Sequence, residues 1–181
     1  MSVESVSLRP VSEQDLSVMD RFRMEPEVAG AFQWFGWWDT DRWHRMWAEN
    51  GLITDDSGHL MVVRDGEQLG FVGWRKVVVT RSTFYWNIGV GLLPQARGKG
   101  AGTEAQRQLV HYLFAHTLVR RIEADTEVDN IAEQRALEKA GFTREGVLRS
   151  VVFRDGQWRD LMRYSILRGD FAPPGRGDGL G

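Results

Sequence analysis

Apolar and polar positions alternate or recur in distinct patterns along the chain, and each pattern predicts an element. Residues 3–11 alternate around Val6 and Leu8 and predict a first strand. Ser12, followed by Glu13, Gln14 and Asp15, marks a helix start. Leu16, Met19 and Phe22, with Val18 beside them, give that helix an apolar face, which Pro26 and Gly30 end. Residues 30–38 are aromatic without a clean period. Asp39 or Thr40 caps a second helix through Trp43, Met46, Trp47 and Ala48, stopped by Asn50-Gly51. Strands at 60–64 and 69–79 flank Asp65-Gly66, a pair suited to a tight hairpin turn. A third strand, 84–92, ends before Pro94, and a glycine-rich stretch covers 95–103. The helix at 102–117 buries a stripe of Ala105, Leu109 and Leu113, with Val110 and Phe114 adjacent. A strand at 120–126 precedes a helix at 130–140 that Gly141 terminates. Strands at 142–153 and 158–167 join through Arg154-Asp155-Gly156-Gln157. The order is β-α-α-β-β-β-α-β-α-β-β, without repeats or a long linker. It predicts one domain over residues 1–171 and a disordered proline- and glycine-rich tail at 172–181.

Composition narrows the function. At 181 residues, 42% hydrophobic and 27% charged, the chain suits a soluble globular domain that folds without staples. The absence of cysteine excludes disulfides, thiolate metal sites and cysteine nucleophiles, and agrees with the expected cytoplasmic location. A net charge of -2 without a basic run argues against nucleic acid as the main ligand. No apolar run is long enough for a membrane span, and residues 1–9 lack the order of a signal peptide. His44, His59, His111 and His116 do not form a metal-ligand spacing, so no metal is expected and each reads as solvated or internally satisfied. Ser150 has no histidine or acid at a readable spacing, which leaves a serine hydrolase unsupported.

Gln95-Ala96-Arg97-Gly98-Lys99-Gly100-Ala101-Gly102-Thr103 follows a strand and opens a helix. Glycines allow tight turns and close approach of a ligand to the backbone. The first N–H groups of a helix lack internal partners and, with the helix dipole, favour an anion. Lys99, Arg97 and Arg107 add positive charge, so the segment has the chemistry of a diphosphate cradle. The Walker A spacing is absent, and Thr103 stands where a dinucleotide fingerprint needs glycine. Taken alone, the loop is equally compatible with glycines that serve only backbone geometry.

Further motifs add to the loop. Gln95-x-x-Gly98-x-Gly100 resembles the coenzyme-binding signature of the GCN5-related N-acetyltransferases, the GNAT superfamily. Asn130, with Leu137-Glu138-Lys139-Ala140-Gly141-Phe142, is similar to a second segment of that family. Gly156-Gln157-Trp158-Arg159-Asp160, with Tyr164-Ser165, resembles the ending of the branch that acetylates ribosomal protein N-termini, and Leu8-Arg9-Pro10 its opening strand. The resemblance implies a mixed, mostly antiparallel α/β sheet of six or seven strands, flanked by about four helices, with splayed central strands. It implies acetyl-coenzyme A, or another acyl-coenzyme A, as co-substrate. It also implies direct attack by an amine, which is a small molecule or a protein N-terminus. The alternative is a non-catalytic acyl-coenzyme A binding or sensing domain.

Residue by residue, the resemblance assigns the coenzyme diphosphate to backbone N–H groups of Arg97, Gly98, Lys99, Gly100, Ala101, Gly102 and Thr103, next to Gln95. It lays the pantetheine arm along Ile88, Val90, Leu92 and Leu93, and holds that arm with Asn130, which counts among both the binding and the catalytic residues. Related proteins often carry a glutamate where this chain has Asn87, a tyrosine where it has Leu137, and a serine where it has Glu133. Glu133 is then the remaining catalytic acid or base, acting through water; its other reading is a solvated helix residue. Phe32, Trp34, Phe35, Trp37 and Trp38, with Trp86 and Asn87, form the expected acceptor site. The aromatic run suits a pocket wall or a homodimer contact equally. Asp15, Glu25 and Glu27 serve either a cationic amine or the helix dipole, and Asp160 orders the last hairpin.

Overall fold

The computed structural model describes residues 5–171. Its elements are β1 (Ser7–Pro10), α1 (Leu16–Met24), α2 (Pro26–Ala29), α3 (Asp41–Asn50), β2 (Ser57–Arg64), β3 (Glu67–Thr80) and β4 (Thr83–Leu92). They continue with α4 (Ala101–His116), β5 (Arg121–Glu127), α5 (Ile131–Lys139), β6 (Thr143–Arg154) and β7 (Gln157–Leu167). The order matches the expected one except for α2. Pro26 occupies the first helical position, where a missing N–H costs nothing, so it opens a new turn as well as ending α1. The tail expected at 172–181 lies outside the described residues. No helix among those described is long and apolar enough to cross a membrane.

Local chemistry fixes the hairpins. Asp65 and Gly66 have φ of 49° and 83°, and Asp155 and Gly156 have φ of 51° and 74°. Consecutive positive φ values match the right-handed twist of the flanking strands, and Asp-Gly tolerates them well. The strands form one seven-stranded sheet ordered β1-β2-β3-β4-β5-β7-β6. Every neighbouring pair is antiparallel except β4 and β5. Those two pair only at Trp86↔Ile122, Asn87↔Glu123 and Ile88↔Ala124. Beyond Ile88 they part, because β4 follows β3 as far as Gly70↔Leu92 while β5 follows β7 as far as Glu127↔Leu161.

Both faces of the sheet are covered. Strand β2 sends Leu60 and Val62 into one core and Met61 and Val63 into the other, which explains its nearly continuous apolar run. The larger core packs α4, through Leu109, Val110 and Leu113, on Trp74, Trp86, Ile122 and Tyr164. The smaller one seats Leu16, Met19, Phe22 and Trp43 on the opposite face. Each such buried apolar side chain contributes about 1.5–3 kcal/mol relative to exposure. Asp15 locks the entry to α1. It accepts from Arg9 at 2.6 and 2.8 Å, from Ser12 N–H and Oγ at 2.7 Å, and from Gln68 at 2.5 Å.

Candidate active site

The glycine loop begins with a 3-10 turn, Pro94–Ala96, in which Ala96 N–H bonds Leu93 C=O at 2.9 Å and Arg97 N–H bonds Pro94 C=O at 3.3 Å. Gly98 (φ 72°) and Gly100 (φ 79°) then turn the chain into α4. Glu104 N–H bonds back to Gly100 C=O at 3.1 Å. Among the described residues, none of the N–H groups from Gly98 to Thr103 donates to a backbone carbonyl. A Cβ at Gly98 or Gly100 would meet nothing within 4 Å, so the glycines face open space and answer to backbone conformation alone. A groove of about 520 Å³ runs from this row, with Asn130, Glu133, Arg135 and Lys139 on its α5 wall.

The groove continues into the gap between β4 and β5, a space of about 230 Å³ lined by Ile88, Gly89 and Val90 on one side and Asp125, Thr126 and Glu127 on the other. Gln33 Nε2 donates to Val90 C=O at 2.7 Å, and Arg97 Nε to Leu92 C=O at 2.9 Å, so side chains hold the carbonyls that β5 leaves unpaired. Three carboxyls line the gap. Asp125 binds Arg163 at 2.9 and 3.0 Å and accepts from Asn87 Nδ2 at 3.1 Å. Glu127 binds the buried Arg154 at 2.8 and 2.7 Å. Glu133 has no cationic partner among the described residues; its carboxylate accepts from Gln106 Nε2 at 2.5 Å. Burial pushes the Glu133 carboxyl up to about 7, and the Gln106 hydrogen bond opposes that shift only in part. Asn130 caps α5, its Oδ1 accepting Glu133 N–H at 3.3 Å, and this fixes the first turn that carries Glu133.

On the α1–α3 face the same gap opens into a third cavity of about 540 Å³, shared through Gln33, Phe35, Ile88, Gly89 and Val90. Its floor is the cross-strand pair Gly73↔Gly89. His59 lies against Gly73, where a Cβ would come within 2.9 Å of the imidazole. The ring stands edge-on to Trp43 at 4.7 Å. Burial, and secondly the charge of Arg23, push His59 down to about 4, so it is neutral at neutral pH. Arg23 lies over Trp43 at 4.1 Å and Trp38 at 5.5 Å.

The structure brings together most of the residues expected from sequence and moves others away. Ile88, Val90, Leu92, Gly98, Gly100, Gly102, Thr103, Asn130 and Glu133 line the groove or gap; Phe32, Phe35, Trp38 and Asn87 line the gap or the third cavity. Trp86 does not border the acceptor side. It is 4% exposed in the larger core, where β4 alternation points it toward α4 and its indole N–H meets Thr117 Oγ1 at 3.2 Å. Leu93 does not face the groove either, being buried in the smaller core with its N–H on Leu69 C=O at 2.8 Å. Arg97 contributes no free N–H, since the 3-10 turn uses it. Its guanidinium braces Leu92 C=O and Val28 C=O, and Arg97 lines the groove from there. Ala101 buries its methyl, while Gln95 and Lys99 are exposed and border none of the three spaces. Trp34 and Trp37 pack edge to face on each other at 5.8 Å and line none of them. Asp15 and Glu25 are taken by Arg9 and Arg21, and Asp160 orders the last hairpin by accepting Ser150 N–H at 2.8 Å. Gln33 and Arg135 carry no signal in the sequence, Lys139 stood there only as part of a motif, and His59, expected to be solvated or internally satisfied, lines the third cavity. His59 was detectable, since it alternates in step with the buried Met61 and Val63.

The family model described as an acetyltransferase (GNAT) domain matches residues 5–143. The chain belongs to the GNAT acetyltransferase family. The family brings with it acyl transfer from acetyl-coenzyme A to an amine, and the expected fold agrees. A protein of Bacillus subtilis described as a probable N-acetyltransferase, YjcK, is 42% identical over 83 residues. That match spans about half of either chain, 46% of each. The spermidine N(1)-acetyltransferase of Escherichia coli is 26% identical over 174 residues, 92% of this chain and 88% of that one. Among solved structures, a spermidine N-acetyltransferase of Vibrio cholerae in complex with CoA and spermine superposes with a TM-score of 0.77 at 18% identity, covering 91% of this chain and 96% of that one. RimJ of Mycobacterium smegmatis in complex with CoA-disulfide gives 0.75 at 23% identity, covering 93% and 84%. This GNAT protein keeps the family's split sheet, with Asn87 and Glu133 as its own residues at the gap.

Proposed function

We propose that the groove binds acetyl-coenzyme A and that Glu133 serves acyl transfer to a primary amine entering from the α1–α3 face. The observation that carries this reading is the continuity of the spaces: an unpaired N–H row leads into a gap where one carboxyl is left without a cation. The residues fit the co-substrate. The N–H groups from Gly98 to Thr103, opposite Arg135 and Lys139, suit a diphosphate. The edge of β4 at Ile88, Val90 and Leu92 suits an extended amide-bearing arm, with Asn130 across from it.

When bound, the coenzyme supplies the thioester. The chain's own residues orient and exclude water. Asn130 sets the α5 turn, and Gln106 holds the Glu133 carboxyl toward the gap. Near neutral pH that carboxyl keeps a proton on a substantial fraction of molecules and can give it up within the gap, which suits a general acid. Asn87, tied to Asp125, orients and does not accept a proton. Arg97 and Leu93 act by bracing the loop. Phe35 and Trp38 wall the acceptor side. Homodimerisation belongs to the same proposal, supported by exposed apolar side chains on the last hairpin, Phe153 at 56% and Trp158 at 64%; sedimentation at micromolar concentration checks it.

Release of free thiol from acetyl-coenzyme A across a panel of primary amines, alongside calorimetry with coenzyme A, tests the reading. Binding with turnover of at least one amine is expected. Binding without any turnover would favour a sensing domain, and no binding would overturn the groove assignment.

A further inference from the structure

The acceptor-side cavity has a charge that its polyamine-acting relatives do not lead one to expect. Arg23, Arg42 and Arg75 line it, and among the described residues no aspartate or glutamate does. None of the three arginines forms an ion pair within 4 Å among the described residues. The acids whose charge reaches Arg23, Asp20 and Asp39, pair instead with His44 at 2.8 Å and with Arg45. These cations lie across the sheet from the glycine loop, so the coenzyme diphosphate does not account for them. His59 adds a neutral imidazole with no hydrogen-bond partner in the protein among the described residues. A polycation seated among these arginines would meet three like charges, with carboxyls lining only the adjoining gap.

Shape adds a second constraint. Gly89 leaves the sheet face bare, since a Cβ there would meet nothing within 4 Å, while the His59 ring covers the paired Gly73. Phe35, Trp38, Trp43 and Phe71 line the same space. A bare glycine among aromatic side chains and an imidazole accepts a planar group better than a branched or cylindrical one.

We propose that the acceptor is a small primary amine carrying a flat ring and a carboxylate, with the ring over Gly89 beside His59 and the carboxylate held by Arg42 and Arg75. This rests on the acyl-transfer reading above and names its substrate class. The arginine guanidinium is suited to that task, since it binds carboxylates at two points and stays charged.

The test compares L-tryptophan, tryptamine and spermidine as acceptors by thiol release. It also measures indole-3-propionate against indole-3-propanol by calorimetry on the full chain. The kcat/KM for tryptophan is expected to exceed that for tryptamine and for spermidine at least tenfold. The double variant Arg42→Met, Arg75→Met should cut the tryptophan-to-tryptamine ratio at least tenfold, a change that loss of folded protein would not produce. Indole-3-propionate should bind at least tenfold more tightly than the alcohol. Preference for spermidine, or equal use of tryptophan and tryptamine, would overturn this inference and leave acyl transfer standing. Binding of indole-3-propionate without turnover of any amine would keep the anion site and sink the transfer reading.

Discussion

The Glu133 carboxyl and the Gln106 side-chain amide meet at 2.5 Å inside the gap between β4 and β5. Donation by Gln106 favours the ionised carboxylate, and burial opposes it. Gln106 Oε1 is buried and has no partner among the described residues. Burial prevails, so Glu133 keeps a proton at a pH where most surface glutamates have lost theirs.

Glu133→Gln separates catalysis from stability. As a general acid Glu133 must be protonated, so native kcat should fall as pH rises through about 7. In the variant kcat should drop by roughly 10²-fold and that descending limb should vanish. Stability moves the other way. The folded pKa lies above the unfolded one, so folding binds a proton between the two and native stability declines as pH rises from about 4.5 to about 7. Urea denaturation should then find the variant more stable by about 1–3 kcal/mol at pH 8, with no advantage at pH 4.

Gly98→Val and Gly100→Val test the loop. Both positions have positive φ and open surroundings, so substitution strains the backbone by about 1–2 kcal/mol without a clash. Coenzyme A affinity by calorimetry should fall at least tenfold. An equal strain at Gly66, in the β2–β3 turn, should lower the melting temperature and leave coenzyme affinity as it was.

Asp15→Asn probes the clamp at the start of α1. Its hydrogen bond from Arg9, foremost, holds the Asp15 carboxyl far below the usual carboxylate range. Its contribution is full above the unfolded value of 3.8 and is lost as pH falls below it. The variant should lose about 2–4 kcal/mol at pH 7, with the difference narrowing in acid, as measured by denaturant midpoints.

Glu127 and Arg154 flank the gap and are 5% and 8% exposed as side chains. Glu127→Ala should cost about 3 kcal/mol because it leaves the buried guanidinium with only the exposed Asp155 carboxylate as counter-charge. Replacing both, as Glu127→Leu with Arg154→Met, should restore most of that stability. Chemical denaturation of the single and double variants measures the difference.

Much of the fold was legible because local chemistry agreed with it. Asp65-Gly66 and Asp155-Gly156 announced their hairpins, and Asn130 and Gly141 bracketed α5. The glycine loop was legible as an anion cradle, though the 3-10 turn that consumes the Arg97 N–H has no signal beyond Pro94. The acceptor side was not legible. Arg23, Arg42 and Arg75 come from α1, α3 and β3, and only the tertiary fold makes them neighbours. Trp86 and Trp38 look alike as sequence. In a sheet buried on both faces, alternation does not reveal which face receives the ligand.

Every side chain enclosing the acceptor cavity precedes Leu92, while the diphosphate loop and Glu133 follow it. Strand β4 lies between these two territories and serves both. A single genetic crossover just before β4 can therefore exchange Arg23, Arg42 and Arg75 together, while the β4 edge, the loop and Glu133 are inherited as one piece.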